Sequence, residues 1–163
     1  MEKEFLEFIE QNQGVLHKIC AVYAVSTEDK NDLIQEMLFQ LWKAYPTYDI
    51  NRQVKFSTWL YRVALNTALN FKRKTAINFA VIEATELDIP DKETATEKEE
   101  NKRLLYHCIQ QLPEIDRALI LLHLEGHSYA EISLVTGFTE SNIGVKLNRI
   151  KKKLQTLFKL TGK

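Results

Sequence analysis

Apolar residues recur along this chain at steps of three and four, while alternation at steps of two is nearly absent. That pattern predicts helices rather than strands. A first helix is expected from about Lys3 to Tyr23, with Phe5, Phe8, Ile9, Leu16, Ile19 and Cys20 forming much of its apolar face. Ser26-Thr27-Glu28-Asp29 is a helix start signal, a hydroxyl followed three residues on by a carboxylate. The helix it opens is expected to run to about Ala44 and stop before Tyr45-Pro46, because proline disfavours helical backbone in the residue before it. On this second helix Ile34, Leu38, Leu41 and Tyr45 form the expected buried stripe, and Asp32, Glu36, Phe39 and Lys43 a second, mixed one. Residues 47–55 read as a loop, and a third helix spans about Ser57 to Lys74.

From Thr75 to about Thr96 the periodicity fails, and Glu83, Glu86, Asp88, Asp91 and Glu93 crowd around Pro90. Such a stretch reads as a linker rather than a packed element. Order returns with Glu97 to Leu112, and Pro113 suits the first turn of the next helix, where its missing N–H costs nothing. Gly126 ends that helix, and Ser128-Tyr129-Ala130-Glu131 is a capping box opening a short one that ends at Gly137. Phe138-Thr139 leads into a final long helix, Glu140 to about Leu160. The expected fold is all-α: two small helical domains joined by an acidic linker.

Charge sharpens that division. Overall charge is zero, yet basic and acidic side chains number 10 and 9 over residues 1–75, 2 and 8 over 76–100, and 10 and 5 over 101–163. An acidic block between a near-neutral unit and a basic one marks a boundary, and the basic end points to a polyanionic partner. The hydrophobic content of 45% is that of a globular protein. No apolar run is long enough to span a membrane, and Met1-Glu2-Lys3-Glu4 lacks the basic head and apolar stretch of a signal peptide. A cytoplasmic protein without membrane insertion is expected. Cys20 and Cys108 stand alone, without CxxC spacing, and read as buried, reduced thiols.

The last two helices, joined at Gly137-Phe138-Thr139, make a helix-turn-helix. Ile143, Leu147, Ile150 and Leu154 form an apolar stripe on the second of them, and Asn142, Lys146, Arg149 and Lys153 a polar and basic one. Amides and cations near its N-terminal half suit base edges in a major groove, and Lys151-Lys152-Lys153 suits phosphates. Further upstream, Arg62, Asn66, Asn70 and Arg73 share a face of the third helix, beside aromatic residues. Aromatic rings next to cations suit single-stranded nucleic acid, since every base offers a face and every phosphate a charge.

These segments resemble the sigma-70 family of bacterial RNA polymerase sigma factors, of the small, extracytoplasmic-function (ECF) type. Leu112-Pro113-Glu114 through Leu121, Gly126 through Ile132, and Lys146 through Leu154 are similar to the region-four domain. Asp32 through Trp42 resembles the clamp-binding helix of region two, and Phe56 through Asn66 with Lys72-Arg73-Lys74 its promoter-melting helix. The resemblance implies a region-two domain at 1–75, an acidic flexible linker at 76–97 and a region-four domain at 98–163. It implies no enzymatic activity, no cofactor, no metal and no small-molecule substrate. The implied partners are core RNA polymerase (through its beta-prime clamp and beta flap), promoter DNA and an anti-sigma factor. The clamp face would be Asp32, Gln35, Glu36, Phe39 and Lys43. Minus-ten contacts would come from Trp59, Arg62, Asn66, Asn70, Lys72 and Arg73, with residues 48–55 as the loop that holds a flipped base. Minus-thirty-five contacts would come from Ser141, Asn142, Gly144, Val145, Lys146, Asn148, Arg149 and Lys153. Leu38 stands where phenylalanine is common, a conservative departure in a core role; the departure that matters is Gly144-Val145, where many relatives carry lysine and serine. The promoter sequence therefore does not transfer from other members.

Competing readings are a DNA-binding repressor or activator that is not a polymerase subunit, and a helical adaptor that binds only protein. Trp59 and Phe56 are also good candidates for plain core packing. His123 and His127 have the i,i+4 spacing of helical zinc ligands, but their segment lacks the HExxH order and runs into a glycine helix end. A surface or satisfied histidine pair is expected there.

Overall fold

The computed structural model describes residues 2–51, 54–79 and 96–161, without the side chains of 49–51, 72–79 and 161. Among these the chain forms eight helices and no strand. It divides into two compact units, Met1–Leu87 and Asp88–Lys163. The expected linker falls largely outside the described residues, between Phe79 and Thr96.

In the first unit the expected opening helix is two, α1 (Glu2–Gln11) and α2 (Gln13–Tyr23). The break lies at Asn12, whose side-chain amide donates to the Phe8 carbonyl at 2.7 Å. A short polar side chain thus satisfies a carbonyl that the helix would otherwise have bonded, which is how asparagine interrupts helices. The break leaves Phe8 only half-buried, while Phe5, Ile9, Leu16, Ile19 and Cys20 are buried as expected.

Helix α3 (Thr27–Asn51) begins as anticipated, with the Ser26 hydroxyl accepting from the Asp29 amide at 3.1 Å. It does not stop at Ala44: Pro46 lies inside it, and the helix takes in the first residues of the expected loop. An internal proline costs roughly 3 kcal/mol by deleting a hydrogen bond and crowding the preceding turn. Aromatic packing offsets that cost. Tyr45 is fully buried, and Tyr48 stacks on Trp59 with ring centroids 4.9 Å apart. The buried stripe of α3 is also shifted from expectation. Leu33, Met37, Leu41 and Tyr45 are inaccessible, whereas Ile34 and Leu38 are half-buried flanks. Both α2 and α4 pack on α3, and they meet it on the Leu33–Met37 side.

Helix α4 spans Phe56–Phe79, five residues beyond the expected Lys74 end. Leu60, Tyr61, Ala64, Leu65 and Ala68 bury its inner face. Rings from α1, α3 and α4 gather at one place: Phe8 on Phe56 (4.6 Å), Phe5 on Trp42 (5.0 Å), Phe5 on Tyr45 (5.1 Å) and Phe56 on Trp59 (5.4 Å). Such offset and edge-on pairs add to plain area burial.

The second unit holds α5 (Glu97–Gln110), α6 (Glu114–Leu124), α7 (Tyr129–Thr136) and α8 (Glu140–Thr161). Thr96 caps α5, accepting from the Glu99 amide at 3.4 Å. Pro113 sits one position earlier than expected, as the cap residue of α6 rather than in its first turn. Gly126 and Gly137 both have φ above +80° (86° and 83°), a backbone state that side chains with a Cβ avoid. They turn the chain after α6 and α7. Helices α5, α6 and α7 all pack on α8, burying Cys108, Ile109, Leu119, Leu122 and Ile132 against Ile143, Leu147 and Ile150. Both cysteines are buried and free. Burial pushes the Cys20 thiol up to about 11, against an opposing pull from the Lys30 ammonium. No described helix is long and apolar enough to cross a membrane.

Candidate protein- and nucleic-acid-binding faces

The two candidate faces of the first unit lie on α3 and α4. Because Leu33, Met37 and Leu41 turn inward, Asp32, Gln35, Phe39 and Lys43 are all exposed on α3. Glu36, between Asp32 and Phe39 in the same stripe, is half-buried, and its carboxylate accepts from the Gln40 amide at 3.1 Å. Phe39 is 58% exposed and neighbouring Trp42 is 43% exposed. Phe39 and the outer part of Trp42, whose inner edge meets Phe5, thus leave aromatic area exposed beside acids and a lysine. Trp42 was not among the expected contacts; the apolar edge it shares with Phe39 follows from the shifted phase of α3.

On α4, Arg62, Asn66 and Asn70 are exposed, and their spacing places them on one face. Lys72 and Arg73 continue the helix, with side chains outside the described residues. Trp59 differs in kind. It is half-buried among Tyr45, Tyr48 and Phe56, so most of its surface serves packing, and the same holds for Phe56, stacked on Phe8. The core-packing alternative therefore describes much of both rings.

The candidate DNA face of the second unit is built by a tightly held turn. The Ser128 hydroxyl accepts from the Glu131 amide at 3.1 Å while the Glu131 carboxylate accepts from the Ser128 amide at 3.2 Å, the reciprocal capping box that starts α7. After Gly137, the Ser133 hydroxyl donates to the Phe138 carbonyl at 2.6 Å. The Thr139 hydroxyl accepts from the Asn142 amide at 3.2 Å and so caps α8. With both ends of the turn bonded, the first turns of α8 are fixed relative to α7.

On α8 the expected apolar stripe is buried. Ser141, Asn142, Val145, Asn148, Arg149 and Lys153 are exposed, and Gly144 and Lys146 are half-buried. Lys146 Nζ lies 5.1 Å from the centroid of the Phe138 ring, a cation–π placement that holds the ammonium near the turn. Tyr129, the first residue of α7, is 40% exposed, and one ring carbon lies 3.5 Å from where a Cβ on Gly144 would stand. Neither Phe138 nor Tyr129 was anticipated. Phe138 stands in the turn and Tyr129 opens α7, but only the fold shows which α8 residues they meet.

His123 and His127 each meet a charged group of the second unit. Partial burial and the Lys151 ammonium hold His123 below the ordinary imidazole range, and His127 Nδ1 is 3.4 Å from the Glu131 carboxylate. Among the described residues no cluster of His, Cys, Asp and Glu is arranged to hold a metal ion.

Comparison with known proteins accounts for this layout. Residues 8–77 match the model of Sigma-70 region 2, and residues 102–154 that of Sigma-70, region 4. The chain belongs to the sigma-70 family of RNA polymerase sigma factors. Within that family it is of the ECF type, a non-enzymatic factor for promoter recognition in transcription initiation. It is 28% identical to the ECF RNA polymerase sigma-E factor of Escherichia coli (strain K12), with 88% of this chain and 84% of that protein covered. The corresponding factor of Haemophilus influenzae is 29% identical, over 82% of this chain and 78% of that one. In fold it is similar to the sigma factor RpoE of Bartonella quintana, solved in complex with the anti-sigma factor NepR. The TM-score is 0.74 at 19% identity, with 98% of this chain and 99% of that chain covered. It is also similar in fold to CnrH, solved with the cytosolic domain of CnrY, with a TM-score of 0.67 at 18% identity over 99% and 91% of the two chains.

Proposed function

We propose that this sigma factor binds core polymerase through the exposed side of α3 and promoter DNA through α4 and α8. In this reading residues 1–75 act on the clamp and the minus-ten element, residues 98–163 on the minus-thirty-five element, and the acidic 76–97 segment connects them. The observation that carries it is on α3: Phe39 is 58% exposed in a row with Asp32, Gln35 and Lys43, on a helix whose opposite side is sealed. Exposed aromatic area of this kind is stabilised by a protein partner, and the flanking charges set its register. The exposed amides and cations of α4 and α8 supply phosphate and base-edge contacts. A solved structure of similar fold, bound to an anti-sigma factor, supports a regulator of the same class here, and a polymerase partner implies action in the cytoplasm.

Run-off transcription with purified bacterial core polymerase on fragments of the source genome tests the reading. Discrete transcripts should depend on this protein and be lost on Glu36→Ala or Phe39→Ala, with core association lost in parallel. Tight DNA binding without core association or transcripts would refute it and favour a free-standing repressor.

A further inference from the structure

We propose that Val145 reads the methyl group of a thymine in the promoter element bound by α8. The inference rests on the assignment of α8 as the recognition helix and extends it to one base identity. Val145 is 51% exposed although the helix has a buried apolar stripe at Ile143, Leu147 and Ile150. A single exposed apolar side chain needs no explanation on an ordinary surface. Three features of this position set it apart.

The first is its surroundings. Its neighbours one turn away on the helix surface are Ser141, Asn142, Asn148 and Arg149, all exposed and all hydrogen-bonding. Val145 is thus an apolar centre in a face otherwise suited to base edges and phosphates. The second is backbone cost. Valine and glycine are both poor helix formers, and Gly144-Val145 places them side by side inside α8. Neither is repaid by burial: Val145 points to solvent, and Gly144 is not forced by crowding, since a Cβ there would meet Tyr129 at an ordinary 3.5 Å. The third is shape. With no side chain at 144 and the Tyr129 ring lying beside that bare backbone, Val145 is the side chain that projects from this step of the helix. In the major groove the one apolar feature a base pair offers is the thymine C5 methyl, so an exposed branched hydrocarbon there has one matching ligand.

The test uses the full-length protein in holoenzyme with core polymerase, and promoter duplexes in which each thymine of the minus-thirty-five element is replaced in turn by deoxyuridine. Deoxyuridine removes the methyl and nothing else. One replacement should weaken competition binding about fourfold, the value of one buried carbon, and Val145→Ala should weaken the parent duplex equally and abolish that penalty. Alanine is the better helix former, so loss of fold does not mimic the result. A flat deoxyuridine scan, an element without thymine, or a penalty that persists in Val145→Ala overturns the inference. Arg149→Ala, run in parallel, separates the two levels. If it weakens binding while the scan is flat, only the thymine contact fails; if it has no effect, the assignment of α8 fails with it.

Discussion

Gly144 stands inside α8, where helix propensity alone favours almost any other residue. Glycine inside a helix is roughly 0.5–1 kcal/mol less favourable than alanine, because it surrenders more backbone freedom on folding. Crowding does not demand it here, as the space beside it admits a methyl at van der Waals distance from Tyr129. Gly144→Ala should therefore raise the melting temperature of the second unit by roughly 2–8 °C, the shift expected for that energy in a small domain. Thermal unfolding followed by circular dichroism would show it. A fall instead would mean that the Tyr129 ring cannot yield, and that the pair is packed more tightly than its geometry indicates. A gain in stability would mean that the fold of the second unit does not require glycine at this half-buried position.

At the scale of elements, the short helix α7 depends on its ends. It has eight residues, too few to be stable alone, and it is held by the Ser128–Glu131 box and the Gly137 turn. Ser128→Ala removes the oxygen that accepts the Glu131 amide and should cost about 1 kcal/mol, whereas Ser128→Gly should cost only a few tenths. Denaturant midpoints of the second unit would distinguish these; equal losses for both would argue against the cap as the cause. This box, both glycine turns and the buried stripe of α8 were legible in the sequence, because each is set by residues within a few positions of one another. What was not legible depended on distant partners. Pro46 reads as a stop until Tyr45 and Tyr48 are seen to sit among rings from α1 and α4. The apolar stripe of α3 is wide enough for two phases, and only the packing of α2 and α4 selects Leu33 and Met37 over Ile34 and Leu38. For the same reason Trp59 reads equally as a stacking platform or as a packing residue, and the fold gives it a large share of the second role.

At the scale of the whole molecule, a net charge of zero conceals a basic C-terminal segment, with 10 basic against 5 acidic side chains over residues 101–163. Lys151, Lys152 and Lys153 are exposed on α8, beyond the turns that carry Asn142 and Val145. The proposed reading of α8 divides its contacts into two kinds: charges far along the helix would neutralise phosphates, release counterions and carry no sequence information, whereas amides near its start would discriminate among base edges. The two are separable by salt. Lys153→Gln should flatten the slope of log K against log salt by about 0.9 for holoenzyme binding, and should weaken matched and mismatched promoters alike. Asn142→Ala should leave that slope in place while narrowing the difference between a matched element and one altered at a single base. If Lys153→Gln leaves the slope untouched, the lysine run is a solvated face and the grip on phosphate must come from Arg149 and Lys146. If it flattens the slope but also changes base preference, the division of labour along α8 does not hold, because a residue assigned to the backbone would then be reading sequence.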